Sequence, residues 1–188
     1  MRKTVSHESV LFHLGLSGDD LQKLTAYLEL VERWNARTNL TGAKTIEDRA
    51  RILIAGVLSG RAYVGSGELI DIGSGNGSPG IVMTVLCRPR HATLIEPRTH
   101  RWAFLREVVR VLALRDVDVL RVKYEEYVGN PADTVTVRGL SIPADRLDKL
   151  VVKGGRLLAF GPSITASSGK VFLVTETIGD LSIWERFS

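Results

Sequence analysis

A chain of 188 residues, 44% of them hydrophobic, suits one globular domain with room for a small appendage, and no apolar run approaches the ~20 residues that cross a bilayer. The single cysteine, Cys87, excludes an internal disulfide and a cysteine-rich metal site, and four scattered histidines show no metal-ligand spacing. The net charge of +4 is concentrated over residues 98–115, where five arginines accompany one acid; such an excess fits a polyanion such as nucleic acid or a solvated helix face.

The first 20 residues carry basic groups but neither a long apolar core nor a small-residue cleavage site, so no secretion signal is expected. With the lone thiol, which reads as buried within "IVMTVLC", this predicts a cytoplasmic protein. A short helix is expected around residues 7–14. Leu21, Leu24, Leu28 and Val31 recur at three and four and predict a helix over 19–36, opened by Asp19 and Asp20. "TIED" reads as a capping box opening a third helix over 45–58. No strand signal precedes residue 67, so residues 1–66 form a helical lead-in and 67–188 the main domain, together one compact unit.

From there strands and helices alternate. "ELIDI" (68–72), "ATLIE" (92–96), "VDVLRV" (117–122), "DTVTVR" (133–138) and "RLLAF" (156–160) read as strands. The stretches 79–87, 98–114 and 143–151 read as the helices between them, the last ended by Gly154–Gly155. "KVFLVTET" (170–177) and "LSIWERF" (181–187) have no helix between them and predict an antiparallel hairpin at one edge. The order is that of an α/β, Rossmann-like, seven-stranded, mostly parallel sheet with helices on both faces, the class I methyltransferase layout.

The loop "DIGSGNGSPG" (71–80) reads two ways. From Gly75 it is the dinucleotide spacing G-x-G-x-x-G; from Asp71 it is D-x-G-x-G-x-G. Ligands in such sheets bind outside the strand C-termini, so either reading is functional. A pyrophosphate wants free amides and no nearby carboxylate. Asp71 at the strand end opposes it and favours a cation such as a sulfonium, and Pro79 removes one amide. Glu96 ends the second strand, where it can accept from ribose hydroxyls of either cofactor. The balance favours S-adenosylmethionine over NAD.

Further residues carry a resemblance. "ERWNARTNLTG" (32–42), "DIGSGNGSPGI" (71–81), "LIEPRTHRWAFLREV" (94–108), "KYEEY" (123–127), "VTVRG" (135–139) and "KGGRLLAF" (153–160) fall in order. Together they resemble the small-subunit ribosomal RNA methyltransferase G family, also called the glucose-inhibited division protein B family, over roughly residues 20–160. The resemblance implies a class I methyltransferase that moves a methyl group from S-adenosylmethionine to N7 of a guanosine in small-subunit ribosomal RNA. Its partner would be that RNA or the ribosomal particle, with no membrane and no metal.

Carried over by position, cofactor contacts fall on Gly73, Ser78, Tyr124, Glu125 and Arg138, beside Asp71, Gly75, Gly77 and Glu96. At Ser78 and Tyr124 the family usually has aliphatic residues, which implies backbone contact or altered packing there. Substrate contacts fall on Asn35, Asn39 and Arg101, although Asn39 also reads as a plain helix cap and Trp34 as core.

The chain departs from the family at several places. Where the family has R-H-x-x-D-S, Arg51, Ile54 and Ala55 stand for the His, Asp and Ser. Its S-R-A becomes Val137-Arg138-Gly139, its lysine after the fifth strand becomes Gly161, and its lysine-arginine pair becomes His100-Arg101. The helix before the terminal hairpin shrinks to "GPSITASSG" (161–169). These departures concern the substrate side more than the cofactor loop. They leave a second reading open, a homologue that binds cofactor or RNA without turnover; an NAD-dependent oxidoreductase is the enzymatic rival.

Methyl transfer to N7 needs alignment and exclusion of water rather than a proton relay, and no catalytic triad is expected. Arg101 falls on the buried stripe of its helix with Phe104, Leu105, Val108 and Leu112, so it needs a partner or a site to face. Arg106 and Arg110 fall on the opposite side and read as solvated surface.

Overall fold

The computed structural model describes residues 6–165 and 171–187. It opens with helices α1 (His7–His13), α2 (Gly18–Thr38) and α3 (Ile46–Leu53), then a 3-10 stretch, Ala55–Tyr63. Next come β1 (Glu68–Ile72), α4 (Gly80–Cys87), β2 (His91–Ile95), α5 (Thr99–Val111), β3 (Val117–Leu120) and a 3-10 turn at Tyr124–Glu126. They are followed by β4 (Ala132–Arg138), β5 (Ile142–Pro143), a 3-10 stretch at Ala144–Leu150, β6 (Val151–Phe160), β7 (Ile164–Thr165), β8 (Phe172–Ile178) and β9 (Leu181–Arg186).

Seven strands form one sheet in the order β3-β2-β1-β4-β6-β9-β8. The five from β3 to β6 run parallel, and β9 is antiparallel to both β6 and β8. The expected α/β sheet with its terminal hairpin is thus what forms. The order reverses between β1 and β4, which opens a crevice at the C-terminal ends of the central strands. Among the described residues, no helix is long and apolar enough to cross a membrane, and no cluster of three His, Cys, Asp or Glu could hold a metal ion.

The lead-in explains an oddity of α4. The segment "GIVMTVL" is apolar all round, and every residue from Gly80 to Leu86 is buried. A helix packed only on a sheet would leave one side polar. Here α2 covers the far side: its buried Leu21, Leu24, Tyr27, Leu28, Leu30 and Val31 share one core with Ile81, Val82 and Met83 of α4 and Phe104, Leu105 and Val108 of α5. The opposite sheet face, with Ile70, Ile95, Val135 and Leu157, is covered by Leu147, Leu150 and Tyr127 rather than by full helices. Inside the lead-in, buried Arg49 donates to Glu32 at 2.5 Å and to the Lys44 carbonyl at 3.3 Å.

Several boundaries differ from the expected ones for local reasons. The helix expected over 45–58 ends at Leu53 and continues as a 3-10 stretch. There Gly60 lies so close to Phe160 that a Cβ would fall 2.6 Å from its ring. Only half of the capping box forms: Thr45 Oγ1 accepts from the Asp48 amide at 3.0 Å, while the Asp48 carboxylate turns to Arg51 at 3.1 Å. The expected 143–151 helix is a 3-10 stretch, and Gly154–Gly155 lie within β6 instead of ending it. Pairing with β4 jumps from Ala132–Val151 to Thr134–Arg156, so residues 152–155 bulge, with Gly154 at φ +75°. A two-residue pairing of β5 with β7 was not expected at all. Residues 166–169 of the shortened segment and Lys170 of the expected strand lie outside the described residues.

Because α2 and the sheet share one core, Leu28→Ala is expected to destabilise the protein by about 2–5 kcal/mol. The lead-in and the sheet should still unfold in a single denaturant transition, read by circular dichroism and tryptophan fluorescence together. Two separated transitions would contradict the shared core.

Candidate functional site

The loop from Asp71 to Gly80 turns sharply, with Gly73, Gly75 and Gly77 at φ +66°, +51° and +92°. Each lies in the region that favours glycine. Space is short at Gly73, where a Cβ would lie 2.4 Å from Leu140, whereas one on Gly75 would make ordinary contacts, 3.4 Å from Arg101 Nη1 and 3.8 Å from Glu96 Oε2. A Cβ on Gly77 would instead meet Ile81 and Tyr27, so this glycine faces the core and not the crevice.

Two sets of hydrogen bonds hold the loop. On the crevice side, Gly75 N donates to Glu96 Oε2 at 3.0 Å, and Glu96 Oε1 accepts from Arg98 N at 2.8 Å. On the far side the lead-in takes over. Tyr27 Oη donates to the Asn76 carbonyl at 2.8 Å, Asn76 Nδ2 donates to the Leu40 carbonyl at 3.1 Å, and Ser78 Oγ donates to the Leu53 carbonyl at 2.7 Å. Arg138 Nη1 donates to Ser78 Oγ at 3.0 Å. Burial pushes the Tyr27 hydroxyl far above the usual tyrosine range, so it is a fixed donor, and burial lowers Arg138.

Asp71 corrects the electrostatic argument made from the sequence. It is 0% exposed and lies beneath the loop, so it touches no ligand. Oδ1 accepts from Thr136 Oγ1 at 2.6 Å, and Oδ2 lies against Gly80 at the start of α4 without a completed hydrogen bond. Burial pushes its carboxyl up to about 6, against the opposing pull of Thr136 and the Gly80 amide. Asp71 is a support for the loop and the helix start.

Above the loop opens a cavity of about 350 Å³. It is lined by Gly73, Glu96 and Arg101, by Tyr124 and Glu125 from the 3-10 turn after β3, and by Arg138 at the end of β4. Six of the residues singled out from the sequence therefore meet in one place. Arg98, Lys123 and Leu140, outside the residues expected from the sequence, also line the wall. Its charged side chains are four cations and two carboxylates, so the cavity is net basic, the reverse of what Asp71 suggested. Arg101 is half-buried and makes no ion pair or hydrogen bond among the described residues; it faces the cavity, as its place on the buried stripe required.

Other expectations do not hold. Ser78 is buried, and its hydroxyl is committed to Leu53 and Arg138, so it ties the loop down and offers no side-chain contact to a ligand. Asn35 spends both ends of its amide on Thr41, donating to its carbonyl at 3.0 Å and accepting from its amide at 2.9 Å, which closes the turn after α2. Asn39 caps α2 in the left-handed conformation at φ 45°. Neither asparagine lines the cavity. Trp34 packs edge-on to Phe104 and donates to Glu107 at 3.0 Å.

A second cavity of about 330 Å³ lies on the other side of Arg138, lined by Arg51, Ala55, Gly56, Gly161 and Asp180. Three of the positions where the chain departs from the resembled pattern, Arg51, Ala55 and Gly161, thus converge around one residue shared by both cavities.

A family model described as rRNA small subunit methyltransferase G matches residues 20–164. Among curated proteins, the ribosomal RNA small subunit methyltransferase G of Paramagnetospirillum magneticum is 39% identical over 142 residues, 74% of this chain and 68% of that protein. The protein of the same name from Xylella fastidiosa is 37% identical over 150 residues, 78% of this chain and 68% of that one. Among solved structures, an RNA methyltransferase from Salinibacter ruber in complex with S-adenosyl-L-homocysteine superposes with a TM-score of 0.57 at 14% identity, covering 73% of this chain and 91% of that one. At that identity the likeness is one of fold.

The buried carboxyl of Asp71 gives a direct check on the site. Its folded pKa of about 6 exceeds the ordinary value of 3.8, so between these values the folded state binds more protons than the unfolded one. Its contribution to stability therefore falls as pH rises through that window and is constant above it. Side-chain carboxyl NMR should give Asp71 a midpoint near 6. A midpoint at or below the ordinary value would contradict its burial.

Proposed function

The chain belongs to the rRNA small subunit methyltransferase G family, and on that premise we propose that it methylates N7 of a guanosine in small-subunit ribosomal RNA. It is an S-adenosylmethionine-dependent rRNA methyltransferase. The observation that carries the finer reading is the meeting of Gly73, Glu96, Arg101, Tyr124, Glu125 and Arg138 around one cavity at the strand C-termini.

The residues present fit the cofactor. A volume of about 350 Å³ lies within the ~300–1,000 Å³ of small-molecule sites. A Cβ on Gly73 would displace Leu140 from the wall, so glycine there keeps the lining in place. When bound, S-adenosylmethionine supplies a methyl group on a sulfonium, already activated for transfer. Glu125 would offer carboxylate oxygens to its hydroxyls and amines, Glu96 would offer the lone pairs left beside its bonds to the Gly75 and Arg98 amides, and unpaired Arg101 would offer a fork to its carboxylate. Leu140, 36% exposed and packed on Gly73, adds an apolar patch to the wall.

Guanine N7 has a free lone pair, so the protein needs no general base and has only to hold the two reactants in line. Arg138 stands between the two cavities with its hydrogen bond to Ser78 fixing its position. We assign the cavity beside Arg51, Ala55 and Gly161 to the target base. Its altered lining then changes how the base is held without touching the cofactor loop. A ribosomal substrate, as RNA or as the assembled particle, supports a cytoplasmic location for this activity.

The test pairs binding with product analysis. Calorimetric titration should show S-adenosylmethionine binding and no NAD binding. Incubation of labelled cofactor with unmodified small subunits or their RNA, followed by nucleoside analysis, should yield 7-methylguanosine. Cofactor binding without any methylated nucleoside would contradict turnover, and a different methylated nucleoside would contradict the N7 assignment. Arg101→Ala should weaken cofactor binding by about 1.5–3 kcal/mol, roughly 10- to 150-fold, through loss of a charged hydrogen bond. Unchanged affinity would remove Arg101 from the cofactor site.

A further inference from the structure

The outer face of α5 is built against the ordinary preferences of a helix. In α2 and α3 the first turn carries acids, Asp19 and Asp20 in one and Glu47 and Asp48 in the other. In α5 the first turn has none, and an arginine, Arg98, takes the N-cap. Positive charge there opposes the helix dipole. Arg106 and Arg110 follow at i,i+4, a like-charge spacing that costs an isolated helix about 0.2–0.5 kcal/mol. Among the described residues, none of Arg98, Arg106, Arg110 or Arg115 has an ion pair, and all four are exposed.

These arginines are ordered. Arg98, Trp102, Arg106 and Arg110 recur every four residues, so they follow one oblique ridge of α5 with a rise of about 6 Å per step. The line begins at the cavity, where Arg98 is part of the wall, and leads into an open groove of about 750 Å³ between α5 and the edge strand β3. Arg106, Arg110 and Arg115 line that groove. Its two acids keep their charge, Glu107 accepting from Trp34 at 3.0 Å and Asp118 lying 3.3 Å from His91 Nε2, so the three arginines leave the groove net positive by one.

Trp102 fixes the middle of the line. Its Nε1 donates to the Val119 carbonyl at 3.0 Å. The guanidinium of Arg106 sits 4.9 Å from its ring centroid, and that of Arg121 5.7 Å away. Stacking uses the face of a guanidinium and leaves its N–H edge free for a phosphate oxygen. A merely solvated face needs neither the stack nor the alignment.

We infer that this face is the docking track for the RNA sugar–phosphate backbone, which runs from the cavity mouth at Arg98 along Arg106 and Arg110 to Arg115. The inference deepens the RNA substrate reading and rests on it. It assigns to α5 the binding of RNA flanking the target base, with affinity from phosphate neutralisation rather than base readout.

The test measures binding of an unmodified small-subunit ribosomal RNA transcript to the full chain across 50–200 mM salt. Replacing three phosphate-binding arginines, R106Q/R110Q/R115Q, should lower the salt slope by about 2–3. The wild type should then lose about 20- to 40-fold more affinity than the variant over that salt range. R106K/R110K/R115K should keep the slope, and titration of S-adenosylmethionine should give wild-type affinity in both variants. A glutamine variant with the wild-type slope and RNA affinity overturns the track, as does a lysine variant that loses the slope. A wild type that binds RNA along this face yet yields no methylated nucleoside contradicts the proposed activity and leaves the track standing.

Discussion

The loop after β1 is pinned from two sides, and the rest of the site depends on that. Three left-handed glycines let it turn tightly but also make it the segment with most freedom to lose. Glu96 holds it from the crevice side through the Gly75 amide. Tyr27, the Leu40 carbonyl and the Leu53 carbonyl hold it from behind. The helical lead-in is therefore part of the machinery of the loop, and the boundary near residue 66 does not divide the two in their contacts.

This arrangement also distributes charge. Asp71 lies under the loop, where burial raises its carboxyl, and Thr136 holds one oxygen. The cations stand above the loop, at Arg98, Arg101, Lys123 and Arg138. Glu96 and Glu125 among those cations make a lining that suits a ligand carrying a carboxylate as well as a positive centre. The cations also continue into the arginine line of α5, so cofactor and polyanion would approach one connected basic surface.

Regular elements were legible because periodicity reports burial directly. The "ELIDI" strand and the all-apolar α4 needed only their own residues, and the order of strands then implied the sheet. Contacts between distant segments were not legible. Asn35 looked like a cleft residue until both ends of its amide were seen on Thr41. Tyr27 occupies an ordinary place on an apolar stripe, and nothing local marks its hydroxyl as the anchor of Asn76. The sign of the cavity is not legible locally, because an acid at a strand end can lie below the loop as readily as above it. Nothing local marks Trp102, because its meaning comes from Arg106 one turn on and Arg121 across the edge strand.

The claim that the lead-in holds the loop is tested most directly by amide hydrogen exchange across residues 73–81 in Tyr27→Phe. The substitution keeps the packing and removes the donor to the Asn76 carbonyl. Loss of a buried hydrogen bond of about 1–3 kcal/mol should speed exchange of the Gly75, Gly77 and Ser78 amides roughly 5- to 100-fold while the β4 amides stay protected. Exchange in the loop unchanged from wild type would contradict the account.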